Sequence, residues 1–278
     1  MTDIKKLVRD EYGQIAERAA SPASGCSCCS SSSNMAAESS LQAGYSPEEI
    51  NSVPEGANLG LGCGNPLALA EIKEGETVLD LGSGGGFDCF LASPRVGEKG
   101  KVIGVDMTPQ MLSIAKRNAF QGGYTNVEFI QGEIENLPLE ANSIDLIISN
   151  CVINLSPDKP AVFKEAMRVL KPGGRIVISD IVLEGDLPDE VRKSAAAYVS
   201  CIAGAEQMYD YLDIINDAGF VDITLLSKET YGSDSCGDEG CGCSCGCSDE
   251  SCHSHQDAET NELDGLISSL RLKAYKPL

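Results

Sequence analysis

The sequence has no tryptophan, few aromatic residues (5%) and only two histidines, His253 and His255, both close to its C-terminal end. The part that reads as globular therefore contains no imidazole. That excludes Ser-His-Asp and Cys-His hydrolase chemistry, in which a histidine base sits beside the nucleophile. Positive charge is also scarce: 21 Lys and Arg stand against 42 Asp and Glu, a net charge of −21. A phosphate-backbone binder is excluded on that ground, and no nucleic-acid partner is expected. No apolar run approaches the roughly 18 residues that a membrane helix needs. The start, MTDIKKLVRDEYGQ, lacks the apolar region of a signal peptide. A cytoplasmic protein with no membrane partner is expected, and a monomer, since nothing suggests an obligate interface.

What the sequence has in excess is cysteine, thirteen in 278 residues. With nothing directing secretion, free thiols, metal ligands or redox cysteines are favoured over a disulfide scaffold. The cysteines fall into three groups. Cys26, Cys28 and Cys29 lie in the small-residue tract SPASGCSCCSSSS. Cys63, Cys89, Cys151 and Cys201 are scattered singly. Cys236, Cys241, Cys243, Cys245, Cys247 and Cys252 crowd one segment together with both histidines.

The pattern predicts an amphipathic helix over 3–19, a mobile loop over 21–40, and a helix start at Ser46-Pro47 with a capping box closed by Glu49. From residue 76 strands and helices alternate. Strands are predicted at 77–82, 101–106, 126–132, 144–150 and 175–180, with helices after the first, second and fourth. Thr108-Pro109 and Asp158 start the second and third of these helices, and KPGG (171–174) stops the third. Such alternation with short turns predicts an α/β fold, a doubly wound parallel sheet. Helices follow at about 188–203 and 206–218, then strands at 221–229 and 268–276. Three regions result: 1–60 with N-terminal helices and a cysteine-containing loop, a core over 61–183, and a small C-terminal substrate region over 184–278. The last carries an acidic Cys/His-rich insertion at about 232–262.

After the first strand comes Asp80-Leu81-Gly82-Ser83-Gly84-Gly85-Gly86. In a doubly wound sheet this crevice at the strand ends is where ligands bind. A dinucleotide fingerprint beginning at Gly82 needs glycine at 87, where Phe87 stands. The acid ahead of the glycines suits a cofactor with a cationic amino-acid end and no pyrophosphate. Glycine lets the backbone approach the ligand, and Asp106, ending the second strand, is placed to accept both ribose hydroxyls. Together these read as an S-adenosylmethionine (SAM) site, with Glu133 and Ile134 at the adenine position. The full set expected to hold the cofactor is Asp80, Gly82, Ser83, Gly84, Gly86, Asp106, Met107, Glu133, Ile134 and Asn150.

Cys151 falls just past the fourth strand, where a methyl acceptor should lie. Cys63 and Cys201 are expected to reach the same mouth of the sheet, while Cys89 reads as a small core apolar residue. Soft thiolates select thiophilic centres. Three of them match a pyramidal ion that keeps a lone pair, and arsenite fits: its lone pair would be the nucleophile. The six-cysteine segment, with His253 and His255, is too dense for a zinc finger. It reads as an accessory ion site for arsenite or Zn²⁺.

GCGNP (62–66), VLDLGSGGGFDCF (78–90), VGEKGKVIGVDMT (96–108), SNCVINL (149–155), RVLKPGG (168–174) and SCIAGAE (200–206) resemble the arsenite SAM methyltransferases, as does EYGQIAERAASPASGC (11–26). The resemblance implies a class I SAM-dependent methyltransferase fold, with Cys63, Cys151 and Cys201 binding As(III). It also implies that Cys26 serves in relay or disulfide-mediated reduction, and that arsenite or its thiol conjugates are methylated once and then twice. A thioredoxin- or glutathione-like thiol would restore the cysteines. Two other readings stand beside it: a C-methyltransferase of a quinone- or sterol-like molecule, and a thiol-rich metalloid-binding protein on a degenerate methyltransferase fold.

Overall fold

The structure is a computed structural model that describes residues 4–20, 31–231, 263 and 265–278. Cys26, Cys28, Cys29, the six cysteines from Cys236 to Cys252, His253 and His255 lie outside the described residues.

Five parallel strands form the heart of one mixed sheet: β1 (Thr77–Leu81), β2 (Lys101–Asp106), β3 (Val127–Gln131), β4 (Ile144–Asn150) and β5 (Leu170–Leu183). The hairpin of β6 (Val221–Thr230) and β7 (Ile267–Tyr275) completes it, in the order β3-β2-β1-β4-β5-β7-β6 with β7 antiparallel to both neighbours. Side chains alternate across the sheet, as a two-residue period requires when both faces are covered. Val78, Leu146, Ile148 and Val177 pack with Phe90 of α4 (Phe87–Val96) and with Leu112 of α5 (Pro109–Gly122). Leu79, Ile147, Ile176 and Ile178 pack with Phe163 of α6 (Lys159–Val169) and with Tyr211 of α7 (Met208–Asp217).

Three segments cover the C-terminal strand ends. α8 (Ile4–Ala20) buries Val8 and Ala16, and α9 (Ser31–Gln42) leads into α10 (Pro47–Ser52). At the head of α10 the capping box is present: Glu49 N–H donates to Ser46 Oγ, and Ser46 N–H to the Glu49 carboxylate. Two short helices, α11 (Asp189–Arg192) and α12 (Ala195–Val199), carry the chain to Cys201.

Three expectations change. Residues 31–40 of the loop expected over 21–40 belong to a helix that runs to Gln42; the serines that suggest a linker accompany Ala36, Ala37, Glu38 and Leu41, which are adequate helix formers. The single helix expected over 188–203 is split, because the Ser194 side chain accepts from the Ala197 N–H and starts a new helix there. The 171–174 turn does not separate helix from strand: β5 begins at Leu170 itself, with a register shift opposite Ile144 and Leu146. Thr108 is the N-cap of α5 without a side-chain cap hydrogen bond, and the Asp106 carboxylate accepts the Thr108 N–H at 2.7 Å instead.

Candidate active site

The five parallel strands bring Asp80, Asp106, Asn150 and Asp180 to one end of the sheet. A cavity that opens to solvent lies there. The loop after β1 forms its floor. Gly82, Gly84 and Gly86 all adopt positive φ (67°, 51° and 91°), a region that side chains avoid. A Cβ on Gly82 would also run into Val152. The loop is locked from beneath, since Gly82 N–H and Ser83 N–H both donate to Val105 O and Gly84 N–H donates to Asp106 Oδ2 at 3.0 Å.

Of the expected cofactor residues, Asp80, Gly82, Ser83, Gly84, Asp106, Met107, Ile134 and Asn150 line the cavity. Gly86 does not; it is the N-cap of α4, pressed against Phe90 and Phe129. Glu133 does not line it either. Lys5 and Arg9 of α8 draw its carboxylate away, at 2.8 and 3.4 Å, and the neighbouring Glu135 faces the cavity while also pairing with Lys5 at 3.1 Å.

Two cavity residues, Asp88 and Tyr45, escaped the sequence reading. Asp88, on the first turn of α4, and Asp80 are both buried. Burial, then repulsion from Asp88, pushes the Asp80 carboxyl well above its usual range. Burial raises Asp88 to about 6, against the Tyr45 and Asn150 donors that hold it down. Tyr45 O–H donates to Asp88 Oδ1 at 2.7 Å. The signal was present as a second acid eight residues after Asp80. Two adjacent buried carboxylates are costly until a cation comes between them, and an α-ammonium group satisfies that demand. Asp106 also lines the cavity, its carboxylate oriented by the Gly84 and Thr108 N–H groups, and would offer acceptors to a ligand's hydroxyls. The residues present therefore fit SAM.

Cys89 is buried as expected, but its Sγ–H also donates to Asp80 Oδ2 at 3.2 Å, so it does more than fill the core.

Cys151 lines the cavity, and Cys63 and Cys201 pack behind it in one apolar cluster with Val8, Tyr12, Met107 and Leu155. The three cysteines thus share one cluster, but among the described residues the group with ligand atoms within 4.8 Å of one another is Cys63, Cys151 and Asp180, without Cys201. Their expected state also differs, since Cys63 and Cys151 are joined in a disulfide and Cys201 alone of the three is free. Local backbone explains the placement. Cys151 and Cys201 both stand in the left-handed region (φ 63° and 67°), a strained conformation for residues with a Cβ. Cys201 Sγ donates to Cys151 O at 3.1 Å. The loop carrying Cys201 is fixed by Lys159, whose ammonium donates to Gly204 O at 2.6 Å, and by the contact of Gly204 with Asn154 O, which leaves no room for a side chain. Burial pushes the Cys201 thiol far up, helped by the nearby Asp180.

The class to which these features point is that of the SAM-dependent methyltransferases, and residues 72–219 match the family described as "Methyltransferase domain". The chain is 44% identical over 239 residues to an arsenite methyltransferase of Halobacterium salinarum, covering 82% of this chain and 60% of that protein. It is similar to the crystal structure of an arsenic(III) S-adenosylmethionine methyltransferase from Chlamydomonas reinhardtii, with a TM-score of 0.61 and 36% identity over 86% of this chain and 72% of the other. A demethylmenaquinone methyltransferase of Lactococcus lactis is 44% identical, but over only 37% of this chain. Within the wider methyltransferase class, the chain belongs to the arsenite methyltransferase family. It spans about three fifths of the length of the curated Halobacterium relative.

Proposed function

We propose that the chain methylates trivalent arsenic held by Cys63, Cys151 and Cys201, with SAM as donor, giving mono- and dimethylated arsenic. The observation that carries this reading is the position of the three cysteines: one apolar cluster in which Cys151 also forms the wall of the cavity. Such a cluster has no use in methylating a quinone or a sterol.

Asp80 and Asp88 would hold the ammonium of SAM, Asp106 its ribose, and Met107 and Ile134 the adenine side. Bound there, SAM would supply an electrophilic methyl group to the lone pair on arsenic and leave as S-adenosylhomocysteine. Because arsenic becomes pentavalent, a second transfer would need two electrons, which two of the cysteines would give up on closing to a disulfide. Cys63, Cys151 and Cys201 do the remaining work. As three thiolates they remove arsenic from water, strip its oxygen ligands and fix its lone pair toward the cavity, a positioning contribution that requires no imidazole.

The Cys63–Cys151 disulfide is the oxidised form of two of these ligands. Loading with arsenite then requires two electrons from an outside thiol, of the thioredoxin or glutathione type, and Cys26 would take part in that exchange. The division of labour follows the chain: residues 1–60 cover the cavity, 61–183 hold the cofactor, and 184–278 supply Cys201 and the accessory Cys/His segment. A cytoplasmic monomer is consistent with this reading, and among the described residues no helix is long and apolar enough to cross a membrane.

Incubation with arsenite, a reducing dithiol and methyl-labelled SAM, followed by arsenic speciation, tests the reading. Label in mono- and dimethylated arsenic is the expected result; label absent from all arsenic species refutes it.

A further inference from the structure

Asp180, at the end of the sheet beside the cavity, lies against the sulfurs. One of its carboxylate oxygens is within 4.8 Å of the Sγ atoms of both Cys63 and Cys151. The side chain is completely buried. Tyr211 of α7 donates to its Oδ2 at 2.9 Å, and the Ile181 N–H donates to its Oδ1 at 3.2 Å. Lys159 of α6 acts on it from one side, and Cys201 faces it from the loop after α12. Burying a carboxyl group in this way is costly, and the two donors it has gained do not account for its position beside a disulfide.

The chemistry of arsenite loading does account for it. Each time a thiol replaces a hydroxide on arsenic, an As–S bond forms and an As–O bond breaks. The thiol proton must leave with the oxygen as water, and no oxidation state changes. Hydroxide is a poor leaving group because water ionises only near pKa 15.7, whereas a thiol ionises near 8.5. Departure of hydroxide inside an apolar cluster needs an acid, and the only histidines of the chain, His253 and His255, are remote in sequence from this cluster.

We propose that Asp180 relays the proton of the incoming cysteine to the hydroxide leaving arsenic. Its carboxylate lies within 4.8 Å of both sulfurs, close enough for a proton to pass between thiol and departing oxygen through it. The inference rests on the arsenic-binding reading of the three cysteines.

The leaving group provides the test. Wild type and Asp180→Asn are compared for methylation of arsenite, reduced by a protein dithiol, and of tris(glutathione)–arsenic(III) in excess glutathione, where the departing group is already a good one. The expected result is a loss in kcat/KM of about 100-fold with arsenite and less than about threefold with the thiol conjugate, the size of a typical acid–base contribution. Calorimetric SAM binding checks that the variant is folded, and Asp180→Ser gives the same pair of ratios where asparagine packs badly. An equal loss with both substrates, or none with arsenite, overturns the relay. A wild-type chain that methylates neither substrate overturns the arsenic reading instead.

Discussion

Asn150 joins the cofactor cavity to Cys63. Its Oδ1 accepts the Cys63 backbone N–H at 3.0 Å, while its Nδ2 donates to Tyr45 Oη at 3.0 Å, to Gly64 O at 2.7 Å and toward Asp88 at 3.4 Å. One amide thus holds the acid pair on one side and the loop of an arsenic-ligand candidate on the other. Asn150→Ala leaves these partners unsatisfied, at about 1–3 kcal/mol. SAM affinity is expected to fall about tenfold for each 1.4 kcal/mol that falls on the bound state. Calorimetry with SAM, and arsenic methylation at saturating SAM, are both expected to decline in this variant; a change in only one of them contradicts the coupling.

Cys151→Ser separates the two halves of the site differently. It removes the thiol facing the cavity but leaves Asp80, Asp88 and Asp106 in place. Arsenic methylation is expected to disappear while SAM binds as in wild type. Methylated arsenic formed at the wild-type rate would remove Cys151 from the ligand set.

Buried acids give the stability of the unliganded protein an unusual slope with pH. Asp88 is raised to about 6 and Asp180 to about 7, both mainly by burial, from an ordinary value near 3.8. Between the ordinary and raised values the folded chain holds more protons than the unfolded one. Stability is therefore greatest below about pH 4 as far as these two groups are concerned, and it is lost as pH rises toward 6 and 7. Each group contributes at most roughly 1.4 kcal/mol per pH unit across its window. Urea midpoints measured from pH 5 to 8 without reductant are expected to fall, and Asp180→Asn is expected to flatten the upper part of that fall.

Arg175 lies at the opposite end of β5 from the cavity. Its guanidinium pairs with both Glu76 oxygens, at 2.7 and 2.9 Å, and donates to Ala70 O and Glu71 O. Both partners are largely buried. Arg175→Met leaves Glu76 buried without its cation and is expected to cost about 3–5 kcal/mol of stability. The urea midpoint measures this, and SAM affinity in the folded variant is expected to stay at the wild-type value.

Much of this architecture was legible in the sequence because its signals are local. Alternating apolar runs placed the parallel strands, with β4 over residues 144–150 as expected, and the acid-glycine turn marked the cavity. Cys63, Cys151 and Cys201 were found from residue type and strand position. What escaped depends on long-range packing. Glu133 is turned aside by Lys5 and Arg9, which lie over a hundred residues earlier. Tyr45 and Asp88 meet only when α10 and α4 share a face. Asp180 ends an apolar run like any strand-terminal acid, and nothing in that run shows that two sulfurs will lie beside it. The loop expected over 21–40 failed in its second half for another reason: serine content predicts a linker, whereas Ser40 is buried on a helix that packs against the rest of the chain.

The β6–β7 hairpin has a consequence beyond the sheet it completes. Tyr231 N–H donates to Ile267 O and Gly265 N–H donates to Tyr231 O, so the chain leaves and rejoins the strand pair at a single closed point. Lengthening a loop tied in this way costs little, about 0.6 kcal/mol for each doubling. The sheet therefore sets little limit on how many residues separate Tyr231 from Gly265, and shortening residues 232–262 is expected to leave the β6–β7 pairing intact.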